Sequence, residues 1–169
     1  IINSLNKVLT EIIWMCCYVL HIFVQTKLNI MGYTHYWNLK KLPENYDSKK
    51  TKAFIEIQSL LERHLPEKCE TAGACYDEHP VKLRGGDGKG FPEITSELIC
   101  FNGDRKVNMD HEGFYFPFGN GVTDFQFCKT ARKPYDIAVC ITLLSLANNI
   151  DTFDFSSDGD REDWQPAID

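Results

Sequence analysis

Apolar and polar positions alternate immediately after residue 31. The alternation places Tyr33, His35 and Trp37 on one side of residues 33–39, and this period of two predicts a β-strand. Short runs rich in aromatic and β-branched residues predict further strands over 98–101, 114–118, 124–128 and 152–155.

Two longer segments show helical spacing instead. Residues 48–65 repeat apolar side chains every three or four positions opposite charged ones, and Pro66 ends this predicted helix. Residues 134–149 are apolar enough to predict a helix that is largely buried. The order strand, helix, several strands, helix, strand predicts an α+β fold, with a mostly antiparallel sheet and two helices packed on one face.

The first thirty residues differ from the rest of the chain. Residues 8–24 form an apolar run of 17 positions interrupted by Thr10, Glu11 and His21, which is short for a bilayer span and carries ionisable groups. It is interpreted as a marginal membrane anchor, an extra buried helix, or translated sequence upstream of a start at Met31. We favour the last, expecting residues 1–30 to be a non-native extension or a marginal hydrophobic helix and residues 31–169 to be one domain.

Composition limits the classes of partner. Removing Lys7, Lys27 and Glu11 from the totals of 18 basic and 24 acidic residues leaves 16 and 23 in residues 31–169. This excess of acid argues against generic duplex DNA binding, which requires a basic face. The cysteines of the domain are odd in number and unevenly spaced, as expected of free thiols in a reducing cytoplasm. No membrane role is expected unless residues 8–24 are expressed.

The strongest candidate site is a basic segment before the second predicted helix. Lys129, Thr130, Arg132 and Lys133 precede Pro134, which is well placed at a helix start. Cations beside free backbone N–H groups predict a site for phosphate or carboxylate. In the alternative interpretation, Lys129 and Arg132 pair with acidic neighbours, including the carboxyl-terminal tail.

Two further groups have candidate chemistry. Tyr33, His35 and Trp37 predict an aromatic wall beside the anion, in which His35 is a candidate general acid or base. The acidic turn of the tail partly matches a calcium loop, but Gln165 stands where a bidentate carboxylate is required and Pro166 opposes a following helix. The candidate ligands of this turn are Asp154, Asp158 and Asp160. Because the match to a calcium loop is incomplete, we expect no bound metal, and we expect no cofactor.

Several segments together resemble a known group of sequences. The chain resembles a family of small uncharacterised proteins from bacteriophages and bacterial genomes in four places: the opening MGYTHYW at 31–37, the central ICFNG at 99–103, the FCKTARKPYD segment at 127–136, and the SDGD turn at 157–160 with Trp164. The resemblance implies a start at Met31 and a bacteriophage or mobile-element origin, and it implies no activity.

The residues predict a cytoplasmic accessory domain that binds an anionic, phosphate-bearing ligand or a protein partner. One alternative is an enzyme acting on a nucleotide or another phosphate-containing small molecule, with His35 as acid or base and Arg132 stabilising charge. The other is a protein-binding inhibitor of a host factor, which an exposed apolar patch would favour.

Overall fold

The computed structural model describes residues 33–65, 75–76, 79–119 and 123–169. The predicted extension over 1–30, with its apolar run, lies outside the described residues. Among the residues that are described, no helix is both long enough and apolar enough to cross a membrane.

The described strands pair antiparallel in small sheets. The first sheet contains β1 (Thr34–Leu39), β7 (Thr123–Lys129) and β8 (Phe153–Ser157), in the order β7-β1-β8. The second contains β4 (Glu93–Ile94), β5 (Leu98–Phe101) and β6 (Phe114–Pro117), in that order. A short ladder joins β2 (Cys75–Tyr76) to β3 (His79–Pro80). The first sheet, built around β1, carries the residues discussed below.

The α-helices of the described part are α1 (Tyr46–His64), α2 (Asp136–Asn149) and α3 (Arg161–Ile168). Helix α1 buries Ala53, Ile57 and Leu61, which recur every four residues and so lie on one face. Helix α2 is buried along most of its length because it packs against α1, α3 and β8. At its carboxyl end, Asn149 donates to Glu56 of α1 at 2.5 Å. Helix α2 is therefore the central element of the core.

Aromatic side chains connect the two three-stranded sheets. The ring centroid of Trp37 lies 4.8 Å from that of Phe114, and Phe116 lies 5.7 Å from Phe153. Each pair joins a strand of the first sheet to β6. Aromatic pairs at these separations contribute about 0.5–1.5 kcal/mol beyond the area that they bury.

The structure confirms the predicted α+β class and the antiparallel pairing. The strands divide between separate sheets with aromatic pairs between them, a separation that no local sequence pattern indicates. The expectation that Pro166 opposes a helix is wrong, since α3 includes it in its last turn. Asp160 accepts from the backbone N–H of Glu162 and Asp163, and this capping box starts α3 despite the proline.

Candidate functional site

Strand β1 presents different chemistry on its two faces. His35 is fully buried and pairs across the sheet with Cys128 and Ser157, whereas Tyr36 is partly exposed and pairs with Phe127 and Ser156. This follows from the period of two, which turns successive side chains to opposite faces. The inner face leads to a buried polar cluster, and the outer face carries exposed aromatic rings.

The His35 cluster consists of His35, Thr130, Asp136 and Cys140. Asp136 Oδ1 lies 2.7 Å from His35 Nε2 and accepts a 2.5 Å hydrogen bond from Thr130 Oγ1. Cys140 Sγ lies 3.9 Å from His35 Nε2 and 3.8 Å from Asp136 Oδ2. All four residues are buried. The cluster therefore concentrates a carboxylate, an imidazole and a thiol within the core.

Three elements hold this cluster together. Asp136 and Cys140 are one turn apart on α2, so both side chains lie on the helix face that meets β1. Thr130 follows β7, and the backbone N–H groups of Thr130 and Ala131 both donate to the carbonyl of Tyr33. Since Tyr33 directly precedes β1, these bonds fix the end of β7 beside His35.

The cluster lacks the geometry of a cysteine–histidine catalytic pair. In such a pair, one ring nitrogen accepts the thiol proton while the other is oriented by an acid. Here Asp136 and Cys140 both approach Nε2 of His35, and Nδ1 has no hydrogen-bond partner in the described part of the chain. Burial, and secondarily the Asp136 charge, raises the pKa of the Cys140 thiol well above its usual value, so this cysteine is not an activated nucleophile.

Aromatic side chains cover the cluster. The rings of Tyr33 and Trp164 meet His35 edge-on, with centroids 5.0 Å and 5.2 Å from the imidazole. The guanidinium of Arg132 lies over the Tyr33 ring, with its Cζ 4.2 Å from the ring centroid, and it pairs with Asp163. Tyr33 thus separates the buried His35 from the partly exposed Arg132, and the two do not face a common opening.

Three of the four residues predicted to hold the anion have side-chain partners within the chain. Thr130 is bonded to Asp136, Arg132 to Asp163 of α3, and Lys133 Nζ donates to the carbonyl of Asn108 at 2.6 Å. The alternative in which Arg132 pairs with the acidic tail is observed, and the hydrogen bond to Asp163 raises the pKa of its guanidinium further. Ala131 and Arg132 adopt left-handed backbone angles, which turn the segment toward Tyr33.

Lys129 contributes mainly through its backbone to this arrangement. Its N–H donates to Glu112 Oε2 at 2.8 Å, and its carbonyl accepts from the His111 ring. The neighbouring Cys128 is fully buried, and burial raises the pKa of its thiol to about 12. It is therefore an inert core residue rather than a thiol activated by the adjacent cations.

The other predicted residues serve the fold. Trp37 is buried against Phe114 and forms no wall with Tyr33 and His35 that a ligand reaches. The carboxylates of the acidic turn do not converge. Asp154 pairs with Lys40, Asp158 accepts from the Thr34 N–H and the Tyr36 hydroxyl, and Asp160 caps α3.

The outer face of the same sheet carries the aromatic face, which consists of Tyr36, Phe125 and Phe127. The residue exposures of Phe125 and Phe127 are 63 % and 54 %. The rings of Tyr36 and Phe125 stack with centroids 5.8 Å apart and planes inclined by 24°, and Phe127 lies 6.3 Å from Phe125. Large apolar side chains are usually buried, so this contiguous exposed group is a candidate interaction surface.

Acidic residues lie beside the aromatic face on β8 and just after it. Asp154 and Asp158 are both exposed. Asp154 lies opposite Asn38 of β1 in the strand register, on the same outer face as Tyr36. The Tyr36 hydroxyl donates to Asp158 at 3.3 Å, which links the aromatic ring to this acidic edge. The surface therefore combines apolar rings along β7 with carboxylates along β8.

Comparisons with known proteins do not identify a relative. The resemblance to a bacteriophage and bacterial family therefore stays a prediction. No protein-family model matches the chain, and neither a curated protein nor a solved structure does.

Proposed function

We propose that this domain binds a protein partner through the aromatic face. The observation that carries the proposal is the contact of Tyr36, Phe125 and Phe127 on the outer face of a three-stranded sheet, with both phenylalanines more than half exposed. Aromatic anchors of this kind supply much of the binding energy at protein interfaces. The partner is expected to present apolar side chains flanked by lysine or arginine, whose charge complements Asp158 and, in exchange with the exposed Lys40, Asp154.

Single-stranded nucleic acid is a less suitable ligand for this surface. Bases stack on the open faces of aromatic rings that lie along a basic track. Tyr36 and Phe125 instead stack on each other, so one face of each ring is already covered. Asp158, which accepts from the Tyr36 hydroxyl, is acidic and repels phosphates, and Lys40 at this edge is paired with Asp154.

A protein partner is also favoured over the predicted anionic ligand. Arg132 and Lys133, which were expected to hold the anion, are bonded to Asp163 and Asn108. An anion would have to displace these internal contacts, whereas a protein reaches the aromatic face without breaking any of them.

The magnitude expected for one anchor follows from its exposure. Phe125 leaves 63 % of its surface exposed, which is about 120 Å² if a phenylalanine offers roughly 200 Å². At about 25 cal/mol per Å², complete burial by a partner contributes at most about 3 kcal/mol, because association also costs side-chain ordering. Phe125→Ala is therefore expected to weaken binding by roughly 10- to 100-fold.

The proposal is tested by NMR titration of the full chain with three probes. These are a synthetic peptide of alternating leucine and lysine, the same peptide with glutamate in place of lysine, and single-stranded oligouridine. The expected result is that the lysine peptide alone shifts the amide signals of β1 and β7. Shifts caused by oligouridine, or equal shifts with the glutamate peptide, would contradict the assignment.

A matched pair of variants distinguishes binding at the aromatic face from non-specific binding to any exposed aromatic side chain. Phe125→Ala is expected to remove the shifts, while Phe91→Ala is expected to preserve them. Phe91 is 87 % exposed but lies in the loop before β4 rather than on the aromatic face. Equal loss of binding in both variants would show that exposure alone, and not this surface, attracts the peptide.

A further inference from the structure

We infer that the His35 cluster is a binding site for a zinc-like divalent metal ion, with His35, Asp136 and Cys140 as ligands. One potential ligand atom from each side chain lies within 4.8 Å of the others. Imidazole nitrogen, carboxylate oxygen and thiolate sulfur are the three donor types that zinc uses in proteins. This inference concerns the core and is independent of the proposed partner binding on the outer face.

The distances from Cys140 Sγ to its two neighbours are close to those between donors in a tetrahedral site. They run to His35 Nε2 and to Asp136 Oδ2, whereas Asp136 Oδ1 is the carboxylate oxygen bonded to His35. Metal–ligand bonds of about 2.0–2.3 Å place neighbouring donors roughly 3.3–3.8 Å apart. Cys140 Sγ lies 3.9 Å from His35 Nε2 and 3.8 Å from Asp136 Oδ2. His35 Nε2 and Asp136 Oδ1 are 2.7 Å apart, so they need to separate by about 0.6 Å on exchanging their hydrogen bond for bonds to a metal.

The charges balance within the buried site. A divalent cation bound by one thiolate, one carboxylate and a neutral imidazole gives a net charge of zero, which avoids the penalty for burying an isolated ion. Binding releases the thiol proton of Cys140 to solvent, and the Nε2 proton that His35 shares with Asp136 moves to Nδ1, which has no hydrogen-bond partner in the described part of the chain.

The arrangement also has the rigidity of a built site. Asp136 and Cys140 come from consecutive turns of the central helix, and His35 comes from the central strand of the first sheet. Thr130 Oγ1, 2.5 Å from Asp136 Oδ1, fixes the carboxylate and supplies a further oxygen beside the three donors. All polar contacts of the His35 ring among the described residues use Nε2, the nitrogen that faces the other donors.

The test is cobalt binding by the metal-free full chain, followed by optical absorption. We expect one equivalent of Co²⁺ to produce the visible bands of a tetrahedral site together with a thiolate-to-cobalt charge-transfer band, and Zn²⁺ to bleach both. Cys140→Ser is expected to abolish the charge-transfer band. Cys128→Ser, at an equally buried cysteine outside the cluster, is expected to retain it.

The comparison of these variants is needed because the chain contains other cysteines that could bind cobalt. A charge-transfer band that persists in Cys140→Ser arises from a different thiol and overturns the inference, as does the absence of any band in the wild-type chain. Folding of each variant is checked by near-ultraviolet circular dichroism. If Cys140→Ser does not fold, Asp136→Asn preserves the side-chain shape and the thiol, and is expected to lower cobalt affinity at least tenfold. Unchanged affinity in a folded Asp136→Asn variant would also overturn the inference.

Discussion

Replacing Thr130 by valine tests the contribution of the His35 cluster to stability. Thr130 is fully buried and its hydroxyl donates to the Asp136 carboxylate at 2.5 Å. A hydrogen bond to a charged group contributes about 1.5–3 kcal/mol, and valine preserves the shape while leaving the carboxylate without this donor. We therefore expect Thr130→Val to lower the free energy of unfolding by about 2 kcal/mol.

Urea unfolding of the metal-free full chain, followed by circular dichroism, measures this change. With a slope of about 2 kcal/mol per M, the loss corresponds to a shift of about 1 M in the midpoint. The matched control is Thr142→Val. Thr142 is equally buried, but its hydroxyl donates at 2.7 Å to the Ala138 carbonyl, which the helix already satisfies.

The control is expected to cost less than about 1 kcal/mol, because it leaves no charged group without a partner. Thr130→Ser, which retains the hydroxyl, is expected to recover part of the loss. Equal midpoints for Thr130→Val and Thr142→Val would refute the reasoning, since they would show that the bond to Asp136 contributes no more than an ordinary hydroxyl contact.

Further predictions concern single contacts elsewhere in the described part. Gly159→Ala is expected to destabilise the fold by about 1–3 kcal/mol, because a Cβ at this position would lie 2.7 Å and 2.8 Å from Cε2 and Cζ of Tyr33. The thermal-melting control is Gly119→Ala, whose Cβ would have no atom of the described residues within 4 Å. Asp160→Ala is expected to cost about 1 kcal/mol by removing the α3 cap, and Asp160→Ser to restore most of it; equal melting temperatures for the two variants would contradict the capping role. Hydrogen bonds from Arg84 hold the pKa of Asp104 below its ordinary value. The ion pair therefore stabilises the fold at a pH above about 4, the pKa of an aspartate in the unfolded chain, and this stabilisation is lost as the pH falls through the lower pKa of Asp104 in the folded chain. The shift in urea midpoint caused by Asp104→Asn is accordingly expected to be larger at neutral pH than near pH 3, and a shift independent of pH would contradict the ion pair.

Local sequence patterns were sufficient to predict most of the secondary structure. The alternation through β1 and the apolar spacing of α2 are strong because each element buries a regular set of side chains. The start of α3 depends on the capping box of Asp160, and Pro166 obscures this signal in the sequence because a proline inside a helix removes a backbone hydrogen bond.

The candidate sites could be predicted only in part, because they depend on distant pairings. His35 was identified as a candidate, but its contact with Asp136 joins residues 101 positions apart. The spacing of Asp136 and Cys140 on a predicted helix was an available signal, since residues four apart share a face. The sequence also indicates part of the aromatic face, because Phe125 and Phe127 lie two residues apart in a predicted strand whose next residue, Cys128, is buried. Only the pairing of β7 with β1 places Tyr36 between these two rings and the acidic edge.

Selection of a random-peptide display library on the full chain tests the proposed binding surface most directly. Parallel selections use the wild-type chain, the double variant Phe125→Ser/Phe127→Ser and the control Phe91→Ser. We predict that the wild type and the control enrich peptides combining large apolar residues with lysine or arginine, and that the double variant does not. Enrichment of acidic peptides, or of the same basic and apolar peptides on the double variant, would contradict the assignment of the aromatic face as the protein-binding surface.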